Sequence, residues 1–484
     1  MNDRASTQAM VTARLAEVFA MQQHAHLQNM LPSADQRRQH LRLLQRQLLR
    51  YQDVLADAIS ADFGGRALAE TQMLDVLPTA LAIRHARNHL HRWMRSSRRR
   101  PELLFATNSL RVTYQPKGVV GVIATWNFPV YLSLGPLATA LAAGNRVMIK
   151  MPETTPRTNA TLRQLLGEVF AEDHVALFGD EVDDPNTFTA LPFDHLVFTG
   201  SPNVGRVVME QAARNLTPVT LELGGKSPAV VLRDYPIEEA ARRIAHGKTT
   251  NAGQICVAPD YALVPREQVG AFVEAVKVTF RGLHGTDIAT NADYTAIASD
   301  RHAARLRGLL GDALAKGAQI TACGEASPGR RLPLQIVTDC TPDMLLMQQE
   351  IFGPVLPVVP YDTLDEAIAF VQHMPRPLAL YCFSHDTVAR DALLTRTHSG
   401  GVTINDWGWH AANHDAPFGG TGTSGMGNWH GEEGFRELSH ARTVFKRHRF
   451  FPIDLFYPPY GRRLQAWSLK FNLGAGDPGV RRPF

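Results

Sequence analysis

The feature that most constrains the fold is a regular alternation of short apolar runs with helical segments between residues 118 and 223. Strands that are apolar throughout and separated by helices are typical of a parallel sheet covered on both faces. A second alternating series runs from about residue 229 to 403. The chain is therefore predicted to be α/β, with a doubly wound, Rossmann-like sheet in the first series. The predicted strands of that series are Gly118–Ala124, Asn145–Lys150, His174–Phe178, His195–Phe198 and Val219–Leu223, and its predicted helices are Tyr131–Ala143, Thr158–Phe170 and Val204–Arg214.

The first hundred residues contain two predicted helices. Ser33 and Gln36 have capping-box spacing and begin a helix that Gly64 ends. A second helical stretch covers residues 68–95 and ends in a basic run. The long helices of the later series are predicted over 267–283 and 300–316.

Neither histidines nor cysteines predict a metal site. His85 and His89 are four residues apart on one helix, but neighbouring arginines oppose a cation, so a solvated basic face is favoured. The four cysteines contain no CxxC pair, which fits a reducing compartment. With no secretory signal at the N-terminus, the cytoplasm is the expected location. The cysteines are Cys256, Cys323, Cys340 and Cys382.

Charge and hydropathy give no reason to expect two classes of partner. The net charge of +4 is small for 484 residues, so no nucleic acid is expected. No apolar run is long enough for a membrane-spanning helix. Aromatic and arginine residues after residue 450 are typical of either a membrane-surface segment or a tail that packs over a dimer or a substrate entrance. The prolines among them favour the packed tail, and Gly474–Phe484 is expected to fray.

Polar segments follow two predicted strands directly, where ligands bind in doubly wound sheets. Asn127 lies in the segment Thr125–Pro129, and its amide can donate to a developing oxyanion, although Asn-x-Pro is also ordinary turn chemistry. Lys150 and Glu153 can hold the hydroxyls of an adenosine ribose or form a surface ion pair. Lysine is rare here, eight residues against 42 arginines, which favours functional roles for Lys150 and Lys226.

Three further segments carry candidate chemistry. Gly200 and Ser201, with Gly205 in the following helix, allow a phosphate to approach the backbone, although they depart from the GxGxxG fingerprint. Glu222 ends an apolar strand, where a carboxylate acts as a general base or is satisfied by loop amides. Cys256 follows a turn of small and polar residues, which favours a nucleophilic thiolate over the commoner buried cysteine.

Two more segments, Glu350–Pro354 and Pro417–Gly425, complete an ordered set. In this order the set resembles the aldehyde dehydrogenase superfamily, from about residue 30 to 460. The segments Asp62–Gly64 and Tyr457–Tyr460 resemble the dimeric branch that oxidises fatty and aromatic aldehydes. Within it, Asn251–Asp260 is most similar to bacterial members that act on coniferyl aldehyde.

The resemblance implies a role for each matched residue. Cys256 is the implied nucleophile, Glu222 the implied base for water, and Asn127 the implied oxyanion amide, assisted by the backbone N–H of Cys256. No metal is implied. The implied cofactor contacts are Lys150 and Glu153 at the adenosine ribose, Gly200, Ser201 and Gly205 at the pyrophosphate, Glu350 and Phe352 at the nicotinamide ribose, and Trp126, Leu223 and Gly224 beside them.

The implied activity is the NAD(P)-dependent oxidation of an aldehyde to a carboxylic acid through a thiohemiacetal and a thioester. The expected substrates are aromatic aldehydes such as coniferyl aldehyde, or medium- to long-chain aliphatic ones. Glu153 favours NAD over NADP because its charge repels a 2′-phosphate. A Cys-dependent esterase or amidase and a catalytically silent binding protein are the alternatives.

The resemblance also implies a division of the chain and a homodimer. A small β element is expected to bridge the two subunits, with strands at residues 107–116 and 441–449. The expected parts are a cofactor-binding domain (1–106 and 117–224), a catalytic domain (225–418), a bridging element (107–116 and 419–460) and a C-terminal tail (461–484).

Overall fold

The computed structural model describes residues 2–182, 184–327 and 329–474, with side chains from residue 8 onward. The chain forms two compact units. The larger contains residues up to Met94 and Gln115–His440, and the smaller contains Arg95–Tyr114 and the chain from Ala441 onward.

Helices and strands are numbered along the chain. Within the described residues the α-helices are α1 (Asn2–Gln28), α2 (Ala34–Phe63), α3 (Leu68–Thr71), α4 (Leu77–Trp93), α5 (Tyr131–Ala143), α6 (Pro156–Gly167), α7 (Pro185–Thr189), α8 (Pro202–Ala213), α9 (Ile237–Thr249), α10 (Val269–His284), α11 (Asp300–Ala315), α12 (Leu345–Gln348), α13 (Leu364–His373), α14 (Thr387–Arg396), α15 (Gly431–Glu437) and α16 (Arg463–Leu473). The strands are β1 (Ser97–Arg99), β2 (Ser109–Pro116), β3 (Val119–Ile123), β4 (Arg146–Lys150), β5 (Val175–Phe178), β6 (His195–Gly200), β7 (Val219–Leu223), β8 (Pro228–Val231), β9 (Tyr261–Pro265), β10 (Gln319–Ala322), β11 (Gln335–Thr338), β12 (Val355–Tyr361), β13 (Ala379–Phe383), β14 (Gly401–Ile404), β15 (Gly425–Met426) and β16 (Ser439–Lys446).

The first sheet of the larger unit confirms the predicted doubly wound arrangement. Its order is β15-β7-β6-β3-β4-β5, and all neighbours except β15 and β7 run parallel. Each predicted strand and helix of this series is present, with ends shifted by a few residues at most. The carboxyl ends of β3, β4, β6 and β7 therefore lie along one edge, where the strand-end residues Lys150, Gly200 and Leu223 are found.

The second sheet of the larger unit has the order β10-β11-β12-β9-β8-β13-β14. Its strands are parallel except for the pair β10 and β11. Its core includes Leu263, Ile368 and Leu380. The predicted bridging range 419–460 is divided, because Gly425–Met426 adds an antiparallel strand to the first sheet while β16 belongs to the smaller unit.

The N-terminal helices cover the first sheet. The capping box predicted at Ser33 is confirmed, since the Gln36 N–H donates to Ser33 Oγ at 3.2 Å and the Ser33 N–H donates to Gln36 Oε1 at 2.8 Å. Gly64 ends α2 with φ +73°. Helix α1 was not predicted; Leu15 and Phe19 of this helix are buried in the same core cluster as Leu196 and other residues of the sheet.

The smaller unit contains the three-stranded sheet β1-β2-β16. The strands predicted at 107–116 and 441–449 are present as β2 and β16, whereas β1 lies in the basic run that was attributed to a helix end. No helix in the described ranges is long and apolar enough to cross a membrane. Residues 475–484, where fraying was expected, lie outside the described residues.

Candidate active site

Cys256 follows a tight turn whose backbone is strained. Asn251 (φ 47°, ψ 33°) and Ala252 (φ 52°, ψ 35°) both adopt the left-handed conformation that non-glycine residues avoid. The N–H of Asn251 donates to Glu70 Oε1 at 2.6 Å, which holds the turn from a distant helix. Cys256 and Cys340 are partly exposed, whereas Cys323 and Cys382 are buried. The fold therefore presents this thiol at the end of a fixed loop.

Asn127 belongs to the same hydrogen-bond network. Its Nδ2 donates to the carbonyl of Gln254 at 3.1 Å, and Asn251 Nδ2 donates to that carbonyl at 3.2 Å and to the carbonyl of Asn127 at 3.2 Å. Arg66 Nη1 also donates to the Asn127 carbonyl, at 3.1 Å. The amide predicted to hold an oxyanion is thus fixed directly against the loop that carries Cys256.

Arg66 is a residue that the sequence did not single out. Its side chain is fully buried, and its guanidinium lies 4.9 Å from the ring centre of Phe128 and 5.4 Å from that of Phe63. Its Nη1 is 3.9 Å from Oδ2 of the buried Asp75. Burial raises the pKa of Asp75 to about 7, while the charge of Arg66 acts in the opposite direction. The sequence signal available was an arginine two residues after the helix end at Gly64.

Glu222 is buried on β7, and neither carboxylate oxygen has a hydrogen-bond partner among the described residues. Burial raises the pKa of this carboxyl well above its usual value. The negative charges of Glu222 and of the Cys256 thiolate both raise the pKa of Tyr131, after the larger effect of burial. Tyr131 therefore lies within electrostatic range of both groups, and an unsatisfied buried carboxylate is available for chemistry.

Nearby carboxylates disfavour the charged forms of Cys256 and Glu350. Burial raises the pKa of the Cys256 thiol to about 12, and the charges of Glu350 and Glu222 add to the effect. Burial, followed by the charge of Asp260, raises the pKa of Glu350 to about 8. In the protein alone, the site thus favours the protonated forms of the Cys256 thiol and of the Glu350 carboxyl at neutral pH.

Glu350 and Phe352 lie beside residues that follow strands of the first sheet. A Cβ placed on Gly224 would lie 2.1 Å from Glu350 Oε2, so only glycine allows this approach of the carboxylate. The Phe352 ring packs edge-on against Trp126, with centroids 5.4 Å apart. Arg305 Nη1 donates to the Glu350 carbonyl at 3.2 Å.

The remaining predicted cofactor residues lie along the carboxyl edge of the first sheet. Lys150 is buried at the end of β4 rather than in a surface pair, and its Nζ donates to the carbonyl of Met151 at 2.7 Å. Ser201 caps α8, accepting from the Val204 N–H at 3.4 Å. A Cβ on Gly205 would meet Leu223 Cδ2 at 2.8 Å, so glycine permits α8 to pack closely on β7. The N-terminus of this 12-residue helix fits the phosphates of a dinucleotide, and the buried Lys150 lies on the same edge.

Glu153 and Lys226 lie in different settings. Glu153 is exposed just beyond β4. Lys226 is buried and forms an ion pair with Asp260, with further hydrogen bonds to the carbonyls of Leu346 and Gln349. Lys226 therefore has a structural role next to Glu350 rather than a free strand-end ammonium.

One group among the described residues has the composition of a metal site. The ligand atoms of His85, His89 and Asp415 lie within 4.8 Å of one another. The prediction of a solvated face is wrong for His85, whose side chain is 15% exposed and whose ring lies 4.1 Å from that of His89. The Arg92 guanidinium, 3.7 Å from Asp415, competes with a cation for the carboxylate.

Comparisons with known proteins match the chain to one family. The model of the "Aldehyde dehydrogenase family" matches residues 5–444. A protein of Pseudomonas aeruginosa named "Probable coniferyl aldehyde dehydrogenase" is 49% identical over 457 residues, which cover 94% of this chain and 96% of that protein.

Solved structures extend the match to the fold. The substrate-bound state of AldH from Staphylococcus aureus has a TM-score of 0.89 and 34% identity, covering 94% of this chain and 99% of that one. A point mutant of betaine aldehyde dehydrogenase from the same organism, in complex with NAD+, has a TM-score of 0.82 and 25% identity, covering 92% of this chain and 91% of that one. The fold class and the family resemblance read from the sequence are confirmed.

Proposed function

Because this chain belongs to the aldehyde dehydrogenase family, we propose that Cys256 is the nucleophile with which it oxidises aldehydes. The observation that carries this assignment is the shared network of the Cys256 loop and Asn127 beside the unpartnered carboxylate of Glu222. Oxidation of aldehydes to carboxylic acids with a nicotinamide cofactor is the activity of the family and of this chain.

In the proposed acylation, the Cys256 thiol first gives its proton to water. The thiolate sulfur then forms a bond to the aldehyde carbon, and the carbonyl π electrons move to oxygen. Asn127 Nδ2 has a second N–H besides the one given to Gln254, and this proton is available to the oxyanion. The backbone N–H of Cys256 is the second proposed donor. A nicotinamide cofactor, when bound, accepts the hydride that leaves the thiohemiacetal carbon.

Glu222 is the proposed base for deacylation. Its carboxylate takes a proton from water, the hydroxyl oxygen attacks the thioester carbonyl, and the C–S bond breaks to give the acid and the Cys256 thiolate. The raised pKa of Glu222 suits this role, because a more basic carboxylate is a better proton acceptor.

Residues on the sheet edge are proposed to hold the cofactor. Gly200, Ser201 and Gly205 would face the pyrophosphate, Lys150 and Glu153 the adenosine ribose, and Glu350 with Phe352 the nicotinamide ribose; Trp126, Leu223 and Gly224 lie beside them. Glu153 is exposed and anionic, so it opposes a 2′-phosphate, and NAD is the proposed cofactor in preference to NADP.

Coniferyl aldehyde is the proposed substrate, because a relative 49% identical is named for it. The test incubates the protein and NAD+ with coniferyl aldehyde, cinnamaldehyde or decanal, and quantifies the acid by chromatography. Acid from an aromatic aldehyde, lost in Cys256→Ala, is the expected result. Acid formation that survives in Cys256→Ala would refute the assignment of the nucleophile.

The alternative of a Cys–His hydrolase has no support in the electrostatics of the thiol. The charged side chains that act on the Cys256 pKa are the carboxylates Glu350 and Glu222, and no histidine is among the described groups that act on it. We further propose that the protein is a cytoplasmic homodimer bridged by the unit that contains β16. Light scattering with and without residues 439–484 tests the dimer.

A further inference from the structure

An arc of rings in the larger unit connects two tyrosines that both lie near Cys256. The arc consists of Tyr131, His430, Phe418, His410 and Tyr381 in that order. Successive ring centroids are 6.0, 5.1, 6.1 and 6.2 Å apart. Both ends lie near the nucleophile, since the thiolate of Cys256 raises the pKa of Tyr131 and of Tyr381. Tyr381 also donates its hydroxyl to the carbonyl of Val257, the next residue.

Buried imidazole nitrogens along the arc lack protein partners within the described residues. His430 is 2% exposed, and its Nε2 is hydrogen-bonded to the Tyr131 hydroxyl at 3.0 Å while its Nδ1 is unpaired. His414 is 9% exposed, stands 5.5 Å from the His430 ring, and has an unpaired Nε2. His410 bonds Thr403 through Nδ1 at 2.8 Å and has an unpaired Nε2. A buried polar atom without a partner is unfavourable, so such atoms in native proteins usually meet a ligand or water.

These imidazoles are neutral at physiological pH. Burial lowers the pKa of His410 and of His414 to about 4, and it lowers that of His430 well below the usual value. A neutral imidazole has one donor and one acceptor nitrogen. A phenolic hydroxyl can both donate and accept, and its ring has the edges and faces that pack against aromatic neighbours. An alkyl chain would leave every one of these nitrogens unpaired.

We propose that the arc binds the ring of a hydroxyaryl aldehyde and that His430 and His414 hydrogen-bond its phenolic hydroxyl. This inference rests on the proposed function, because it takes Cys256 as the atom that receives the aldehyde. On this proposal, the arc determines the preference for hydroxylated aromatic aldehydes over unsubstituted or aliphatic ones.

The test compares 4-hydroxycinnamaldehyde with cinnamaldehyde, which differ by the hydroxyl alone. The native protein is expected to prefer the hydroxylated aldehyde about tenfold in kcat/KM, mainly through KM, which corresponds to one net hydrogen bond. In His430→Phe and His414→Phe the ring remains but its nitrogens are removed, and the preference should fall toward one. His430→Gln retains a side-chain donor and acceptor and should recover part of the preference.

His174→Phe is the matched control. His174 is half-buried and, like the two substituted histidines, packed between rings, 4.2 Å from His40 and 5.5 Å from Phe170, but it lies beside the edge strand β5. The control should keep the native preference.

The outcomes separate this inference from the proposed function. A native preference near one, or a preference that persists in both Phe variants, would overturn the role of the arc while aldehyde oxidation stands. Failure to oxidise either aldehyde would refute the function instead. A binding measurement tests the arc without catalysis: the affinities for 4-hydroxycinnamate and cinnamate are compared by fluorescence quenching. Equal affinities in the native protein would also overturn the inference. If a Phe variant does not fold, the same comparison of affinities in the native protein and in Tyr131→Phe tests whether the arc binds the phenolic hydroxyl.

Discussion

Lys226 and Asp260 form an ion pair whose side chains are 5% and 4% exposed. Lys226 Nζ also donates to the carbonyls of Leu346 at 2.7 Å and Gln349 at 3.1 Å, and Asp260 Oδ1 accepts the Ile351 N–H at 2.9 Å. The pair thus ties the loop after β7 to the segment that carries the carboxylate proposed to hold the nicotinamide ribose. We predict that breaking it destabilises the protein and weakens cofactor binding together.

The magnitude follows from what each substitution leaves behind. Lys226→Met leaves a buried carboxylate without its cation and two carbonyls without a donor, which should lower the free energy of unfolding by about 3–5 kcal/mol. Lys226→Met combined with Asp260→Leu removes both charges, so the double variant should be less destabilised than the sum of the single variants. Loss of the Lys226 charge also raises the pKa of Glu350, because that charge now lowers it. Because the ion pair also holds the segment that carries Glu350, breaking the pair should displace this carboxylate. KM for NAD+ should then rise about tenfold or more, as for one lost hydrogen bond to a charged group.

Urea unfolding followed by tryptophan fluorescence measures the stability, and initial rates at saturating aldehyde measure KM for NAD+. The matched control is Arg266→Met, which breaks an ion pair with Asp362 whose side chains are 58% and 52% exposed. Because exposed pairs contribute about 0–1 kcal/mol, the control should stay close to the native protein. A loss below about 1 kcal/mol in Lys226→Met, or strictly additive effects in the double variant, would refute the reasoning.

The other predictions concern the reacting groups and the cofactor. Glu222→Gln should release about one NADH per site in a rapid burst and then stall, because deacylation lacks its base. Quenched flow measures the burst, and steady turnover without a burst would contradict this role of Glu222. Burial raises the pKa of Cys256 and Glu222, so their protonated forms persist to higher pH. The kcat/KM for the aldehyde should therefore rise from neutral to alkaline pH, and a flat profile would contradict the roles of these two groups. Alkylation of Cys256 by iodoacetamide should increase over the same range, read by mass spectrometry of the modified peptide. Glu153→Ala should lower the preference for NAD+ over NADP+ by about tenfold through loss of charge repulsion, and an unchanged ratio of kcat/KM values would exclude Glu153 as the discriminating group.

Local patterns predicted the first sheet well because each of its strands is an apolar run bounded by polar or glycine residues. Tyr131–Ala143 and Val219–Leu223 are present with the predicted ends, since both segments are buried and their limits are set by the change to polar residues. Helix α1 was missed because its buried residues, such as Leu15 and Val18, form a narrow stripe in a polar segment. Strand β1 was missed because its identity depends on pairing with β2 rather than on its own sequence, Ser97–Arg99.

The candidate site also contains residues that local sequence could predict and residues that it could not. Motif residues such as Glu222 and Cys256 could be found because their residue types are costly or unusual in their local settings. Lys226 was singled out for its rarity, but its partner Asp260 is 34 residues away and could not be read from spacing. The arc of rings was missed for the same physical reason, since its five members come from α5, β13 and the late loops.

The position of the nucleophile depends on residues far from it in sequence. Left-handed conformations at Asn251 and Ala252 cost about 1–3 kcal/mol each, and such strain persists only where the surroundings impose it. Here the constraint comes from Glu70, 181 residues away, which accepts the Asn251 N–H and the Thr295 hydroxyl, and from Arg66, which holds the Asn127 carbonyl. Because both residues belong to the short segment after α2, the N-terminal helices do more than cover the sheet. They fix the distance between the thiol and the amide on which the stabilisation of an oxyanion depends.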